Sequence, residues 1–210
     1  DLARAAWFGA CLDEALGLAP SADGPHRLVD VGCGAGSLLD LAAARGCEVA
    51  AVELSSDLAV LARRRVPAAL VVEGDAVTTP AWPWPGGADI VVALDVLEHV
   101  TDPPALLARC RAGLRPGGVL LLQTPNALSL RARWQGARWP MLDPDQHLVL
   151  YPPRELRRAL ERAGFAVVRC RTVSGTGREQ GLARAVASAR EAVLAAAGLG
   201  NALRVAARAV

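Results

Sequence analysis

Val29-Asp30-Val31-Gly32-Cys33-Gly34-Ala35-Gly36-Ser37 is the stretch that decides how this chain is read. Three glycines alternate where the apolar run Leu28 to Val31 ends and the helical pattern Ser37 to Arg45 begins. Glycine at such a joint permits a tight turn and lets backbone approach a ligand closely. In open parallel sheets, ligands bind beyond the carboxyl ends of strands, which is where this turn falls.

Outward from the turn, the alternation repeats. Glu48 to Glu53, Ala69 to Glu73, Asp89 to Leu94 and Val119 to Gln123 read as strands, and Asp57 to Arg65 and Pro104 to Leu114 as helices. Arg115-Pro116-Gly117-Gly118 is a stop and turn signal. Strands alternating with helices of this length predict parallel pairing through right-handed crossovers. The unbroken apolar runs Ile90 to Leu94 and Val119 to Leu122 suit strands buried on both faces. Further on, Arg154 to Ala163 reads as a helix, Phe165 to Val173 as a strand, Gly181 to Ala197 as an Ala-rich helix and Leu203 to Arg208 as a last short strand. Between them, residues 125–151 are long, irregular and polar, with Trp134, Trp139 and Met141. A loop of that length in a compact domain is usually functional or disordered, and it is read here as a cap over a substrate. Residues 1–26 are assigned to an N-terminal helical segment.

Composition bounds the partners. The chain has 210 residues, 52% of them apolar, which fits one domain with a sizeable core. Net charge is only +2, and all 23 basic residues are arginine. The densest run, Arg63 to Arg65, sits where a helix C-terminus favours cations, so it marks no phosphate-binding face. The five cysteines are scattered without a C-x-x-C, which argues against a zinc site or a disulfide framework and places the protein in the cytoplasm. No run of about 18 apolar residues suggests a membrane span. The chain begins at Asp1 rather than Met, which leaves a trimmed N-terminus open. The expected partner is a small-molecule acceptor, with no nucleic acid and no membrane, and the chain acting as a monomer or homodimer.

Two readings of the glycine turn compete. Dinucleotide binding prefers G-x-G-x-x-G/A, and Ser37 stands where its last glycine would fall. No basic cluster lies nearby for a pyrophosphate. Glu53, ending the second strand, is placed to accept from ribose hydroxyls, and Asp75 follows the third strand.

Four elements in order, Asp30-Val31-Gly32-Cys33-Gly34-Ala35-Gly36, Glu53, Gly74-Asp75 and Leu94-Asp95-Val96-Leu97-Glu98-His99-Val100, resemble class I S-adenosylmethionine-dependent methyltransferases over roughly residues 27 to 173. Arg115 to Gly118 and Gln123-Thr124-Pro125-Asn126 also look like this group. The subgroup resembled is that of ubiquinone-biosynthesis O-methyltransferases and other small-molecule enzymes. The resemblance implies a Rossmann-like three-layer α/β sandwich with a mostly parallel seven-stranded sheet, whose last strand, at Leu203 to Arg208, runs antiparallel. It implies S-adenosylmethionine as cofactor and S-adenosylhomocysteine as product. By position, Asp30, Gly32, Gly34 and Gly36 would line the methionine and ribose portion. Glu53, followed by Leu54, would hold the ribose diol, Asp75 with the backbone of Ala76 the adenine amine, and Leu94 would wall the site. Transfer to a small-molecule hydroxyl is the expected reaction. Nitrogen, carbon or RNA 2′-hydroxyl acceptors, a non-catalytic binding module and a nicotinamide oxidoreductase are the alternatives.

For the proton of a hydroxyl acceptor, the candidates are His147 in the cap and His99 beside the cofactor site, since imidazole titrates near neutrality. His26 precedes the first strand and is read as a surface residue. Asp95, Glu98 and His99 have i, i+3, i+4 spacing and would share one helical face. The trio resembles the metal-binding element of some ubiquinone-pathway and small-RNA 2′-O-methyltransferases, which carry Glu where this chain has Asp95. His147 would complete such a site. No metal ligand is assigned, with Mg²⁺ as the open alternative to ordinary helix-start chemistry. Trp134 and Trp139 either shape an acceptor pocket or pack the loop down. Trp82 and Trp84 are read as packing, and Arg131, Arg133 and Arg138 as a solvated face, with an acidic or phosphorylated acceptor as the alternative.

Overall fold

The computed structural model describes residues 2–173 and 192–210. A first helix, α1 (Leu2–Leu18), leads into β1 (Arg27–Val31), α2 (Ser37–Ala43), β2 (Glu48–Glu53), α3 (Ser56–Arg65), β3 (Leu70–Glu73) and β4 (Ala88–Leu94). A single 3₁₀ turn at Leu97–His99 precedes α4 (Pro103–Gly113), β5 (Leu114–Pro125), α5 (Leu130–Gln135) and a second 3₁₀ turn at Gly136–Arg138. The chain ends with α6 (Pro153–Arg162), β6 (Phe165–Val173) and β7 (Ala202–Ala209). Most of the helix expected at 181–197 lies outside the described residues; residues 192–196 are helical.

The strands form one seven-stranded sheet in the order β3-β2-β1-β4-β5-β7-β6. β1 to β5 pair in parallel, and β7 lies antiparallel between β5 and β6. This is the expected Rossmann-like sandwich. Alternate residues of each strand leave on opposite faces. Val29, Val31, Val91, Ala93, Leu120 and Leu122 pack under Leu106 and Leu107 of α4 and Leu156 and Leu160 of α6. Leu28, Ile90, Val92 and Leu121 pack on the other face under Leu12 of α1, Leu38 and Leu39 of α2 and Ala62 of α3. Two apolar faces explain why β4 is buried along most of its length.

Three local readings are corrected. Helix α4 stops at Gly113, where a Cβ would lie 2.3 Å from the indole nitrogen of Trp82. The Arg115–Gly118 turn falls inside β5, whose pairing with β4 shifts register between Ala88 and Ile90. The cap is not all irregular: Ser129 accepts from the amide of Ala132 and starts α5 inside it.

Candidate functional site

The glycine turn sits on top of β1 as expected. The amide of Gly32 donates to the carbonyl of Val52, tying the turn to β2 (2.8 Å). Glu53, 6% exposed, ends β2 beneath it. Its Oε2 accepts from the amide of Gly34 (2.8 Å) and its Oε1 from the amide of Ser55 (2.9 Å). The glycines serve different purposes. A Cβ on Gly36 would lie 3.1 Å from Cα of Ala62, so Gly36 lets α2 start against α3. Among the described residues, a Cβ on Gly34, at φ +55°, would meet nothing within 4 Å. Gly34 therefore faces open space, not packing.

Asp30 lies in the same place. Burial, and then the charge of Glu53, push its carboxyl up to about 8. Burial, and then the charges of Asp30 and Glu53, push the Cys33 thiol in the turn up to about 12, which leaves it unreactive. Among the described residues neither Asp30 nor Glu53 has an ion-pair partner. Two carboxyls thus share a buried, uncompensated position.

A stability prediction follows from Asp30. Unfolded, it sheds its proton near 3.8; folded, it keeps it to about 8. The folded state binds the extra proton across that window, so stability falls as pH rises through it. Glu98 acts in the same direction between 4.5 and about 7. The ligand-free protein should therefore melt higher at about pH 5 than at about pH 8, with Asp30→Asn flattening the difference. A wild-type melting temperature that climbs over that range contradicts the assignment.

Along the same rim, Asp75 follows β3. Its Oδ1 accepts from the amides of Val77 (2.6 Å) and Thr78 (3.2 Å), fixing an exposed carboxylate beside half-buried Ala76. Leu54 is 70% exposed and Leu94 half-buried. The positions singled out in the sequence therefore lie on one edge of the sheet, at the carboxyl ends of β1 to β4.

The second group forms where the cap meets the chain after β4. The shared helical face expected for Asp95, Glu98 and His99 is not formed. Asp95 has φ +57°, outside any helix, and only Leu97–His99 turn. The Asp95 carboxylate instead accepts from Nε2 of Gln123 (3.1 Å). Burial raises its pKa, against that hydrogen bond. Gln123 Oε1 in turn accepts two N–H groups from the buried Arg204 on β7 (3.2 and 2.9 Å). A guanidinium only donates, so Arg204 fixes the amide with its NH₂ toward Asp95.

Glu98 and His99 are joined by His147 from the cap. The amides of Leu148 (2.7 Å) and Val149 (3.3 Å) donate to the Glu98 carbonyl, and the two imidazole centroids are 4.9 Å apart. One ligating atom from each of Glu98, His99 and His147 lies within 4.8 Å of the others. His99 Nδ1 meets the carbonyl of Gln146 (2.7 Å), and His147 Nδ1 that of Met141 (2.9 Å). Carbonyls only accept, so both rings carry a proton on Nδ1, and in the neutral tautomer Nε2 holds the lone pair. Glu98 is 1% exposed and accepts from the Thr124 hydroxyl (3.0 Å). Burial, with the charge of Asp95, pushes its carboxyl up to about 7. Such a group can hold a proton or a cation. Two imidazoles and a carboxylate suit a transition metal better than Mg²⁺, which prefers oxygen ligands.

His26 is half-buried, 3.8 Å from Asp89 at the far end of β1, away from both groups. Trp82 and Trp139 are buried and Trp134 is 81% exposed. Thr124, quoted in the sequence only within Gln123 to Asn126, and Arg204, only within the last strand, were given no site role there. Arg204, flanked by apolar residues in β7, was the available signal.

A family model described as a methyltransferase domain matches residues 4–169. A ubiquinone biosynthesis O-methyltransferase of Xanthomonas campestris pv. campestris is 38% identical over 103 residues, covering 48% of this chain and 43% of that protein. The enzyme of the same name from Idiomarina loihiensis is 32% identical over 148 residues, covering 66% of this chain and 61% of that protein. The matched stretch thus spans about half the length of these relatives. Geranyl diphosphate C-methyltransferase from Streptomyces coelicolor, solved with Mg²⁺, geranyl diphosphate and S-adenosyl-L-homocysteine, shares the fold. It superposes with a TM-score of 0.68 at 19% identity, over 96% of this chain and 77% of that one.

Proposed function

Because the chain belongs to the methyltransferase-domain family, we propose that it transfers a methyl group from S-adenosylmethionine to a hydroxyl oxygen of a small molecule, leaving S-adenosylhomocysteine. The observation that carries the reading is the buried Asp30–Glu53 pair under the glycine turn, with no ion-pair partner among the described residues. S-adenosylmethionine brings a sulfonium and an ammonium to such a site. A nicotinamide dinucleotide brings a pyrophosphate, and the turn departs from the pattern that cradles one, with Ser37 where its last glycine would fall. The two curated relatives named above are O-methyltransferases, which supports oxygen as the acceptor atom, while the structural neighbour, alike in fold only, is a C-methyltransferase.

The residues fit the cofactor. In this reading Asp30, Gly32, Gly34 and Gly36 line the methionine and ribose. Glu53 holds the ribose diol with Leu54 beside it, Asp75 and the backbone of Ala76 hold the adenine amine, and Leu94 forms a wall. When bound, the cofactor supplies an electrophilic methyl group for in-line displacement. The chain's own part is to orient the acceptor under the cap and to take its proton. His147 is assigned that proton: its Nδ1–H is tied to Met141, leaving Nε2 free to accept. His99 and the Glu98 carboxyl stand beside it to stabilise the imidazolium.

His147→Ala is expected to slow single-turnover transfer of a labelled methyl group by about a hundredfold to ten-thousandfold across a panel of hydroxylated small molecules. Cofactor affinity should stay within about twofold, since His147 lies outside the glycine-turn site. A variant as fast as wild type removes His147 from the chemistry.

Glu98, His99 and His147 also support a second reading, in which they hold a transition metal that would polarise the acceptor hydroxyl. Exhaustive chelation separates the two. Unchanged turnover leaves proton transfer, and loss restored by added metal gives the cluster to a cation.

A further inference from the structure

Within the methyltransferase reading, on which this rests, we propose that Arg204 is a positioning residue. Through Gln123 it holds the Asp95 carboxylate at the methionine end of the cofactor edge, where that carboxylate takes the α-ammonium group of S-adenosylmethionine. β4 lies between β1, which carries the glycine turn, and β5. Asp95 follows β4 directly, so it stands between that turn and Gln123 on β5. Its neighbour Val96 reaches the turn: a Cβ on Gly32 would lie 2.7 Å from a Val96 methyl carbon. Asp95 is therefore one residue from a direct contact with the glycines assigned to the methionine and ribose.

Three strands in register carry the network. Leu94 pairs with Gln123 across β4 and β5, and Gln123 with Arg204 across β5 and β7. The two ends of a glutamine amide have nearly the same shape, so an unheld Gln123 could turn its oxygen toward the Asp95 carboxylate and repel it. The two N–H groups that Arg204 gives to Gln123 Oε1 remove that orientation and leave Nε2 on Asp95. Arg204 is itself held from α1. Its guanidinium lies over the Trp7 ring, 5.5 Å from the centroid, and 4.0 Å from Glu14. Glu14 has nearer partners in Arg169 (3.2 Å) and Arg171, so its charge does not require Arg204. Burying a guanidinium is costly, and an apolar side chain would fill the same place at less cost. What the guanidinium adds is the orientation of Gln123.

Asp95 has the marks of a side chain that is aimed. Its φ of +57° is a left-handed conformation that few residues other than glycine adopt, and such backbone tends to persist where function requires it. Asp95 keeps exposed surface and forms no ion pair among the described residues. Gln123 occupies Oδ1, and among the described residues no group donates to Oδ2. A carboxylate only accepts, so its ligand must donate, and a cationic donor is favoured. At the methionine end of the cofactor the α-ammonium is such a donor, whereas the sulfonium and the carboxylate carry no N–H or O–H. The acceptor's hydroxyl also donates, but its proton is assigned to His147. Asp30 and Glu53 lie buried beneath the turn, so the rim carboxylate of Asp95 meets a part of the cofactor that they do not.

The test is calorimetric titration of the full chain with S-adenosylhomocysteine and with its deamino analogue, in which hydrogen replaces the ammonium. Wild type should bind S-adenosylhomocysteine about tenfold to a hundredfold more tightly, as one hydrogen bond between charged groups allows. Asp95→Asn, which tolerates the left-handed backbone, should abolish that preference and bind the analogue as wild type does. Gln123→Glu keeps an acceptor for Arg204 but offers Asp95 no N–H and repels it, so it should abolish the preference too. The two substitutions together should lose no more than either alone, because they break one chain of contacts. Arg204→Met should cut the preference by about threefold to tenfold, and Arg204→Lys, which still donates to Gln123, should keep more of it. Wild type that binds both ligands equally overturns the proposal, as does a folded Asp95→Asn or Gln123→Glu protein that keeps the preference. An Arg204→Met protein that melts lower but keeps the full preference makes Arg204 structural only and overturns the role given to it. Wild type that binds neither ligand fails the methyltransferase reading, and the proposal with it.

Discussion

Glu53→Ala is expected to weaken S-adenosylmethionine binding by about a hundredfold or more while the ligand-free protein still folds. In the proposed site this carboxylate gives the ribose diol two charge-assisted hydrogen bonds, each worth roughly 1.5–3 kcal/mol. It also sets the turn, since its two oxygens hold the amides of Gly34 and Ser55. Truncation leaves both amides without their acceptor, which lowers stability by about 1–3 kcal/mol. Relief of the repulsion with Asp30 offsets part of that loss, because the charge of Glu53 is one cause of the raised Asp30 pKa after burial. Glu53→Gln should therefore lower the Asp30 pKa and reduce the fall of melting temperature with pH. Calorimetric affinity and a melting curve on the same sample separate the two effects. Unchanged affinity in a folded Glu53→Ala protein would take the ribose away from this residue.

Gly34→Ala and Gly36→Ala should fail in opposite ways. Both positions have positive φ, at +55° and +78°, so an alanine at either is strained by roughly 1–2 kcal/mol. At Gly36 the new methyl also meets the backbone of α3 at 3.1 Å, which cannot move aside without shifting the helix. Overpacking of that kind costs about another 1–3 kcal/mol, so Gly36→Ala should show a marked drop in melting temperature. At Gly34 the methyl enters space that no atom of the described residues uses. Gly34→Ala should keep most of its stability and lose cofactor affinity by about tenfold or more, because the ligand backbone must approach there. Equal stability losses with unchanged affinity in both variants would make the open space over Gly34 irrelevant to the ligand.

Much of the fold was legible because the signals are local. The change from an apolar run to a helical period at Ser37, with glycines between, places β1, the turn and α2 without any tertiary knowledge. Glu53 was legible because a strand that ends in an acid beside such a turn has few other uses. What stayed hidden is non-local or conformational. Helix α5 has six residues and no buried face, so it leaves no apolar period to read. The left-handed φ at Asp95 breaks the i, i+3, i+4 spacing that side-chain counting assumed, and turns that carboxylate to Gln123. The insertion of β7 between β5 and β6 sets Arg204 opposite Gln123, a register fixed by pairing across the sheet rather than by either strand's own pattern. His147 was named as a partner for His99 in advance. The contact that brings it there, the amides of Leu148 and Val149 on the Glu98 carbonyl, is not encoded in any local motif.

The most direct measurement of the central claim is calorimetric titration of the purified protein with S-adenosylmethionine and, separately, with NADH. The Asp30–Glu53 pair, with Ser37 in place of the dinucleotide pattern's last glycine, predicts micromolar binding of the sulfonium and no response to NADH, with the sulfonium affinity lost in Glu53→Ala. Binding of NADH with no response to S-adenosylmethionine would contradict the account and return the glycine turn to a dinucleotide.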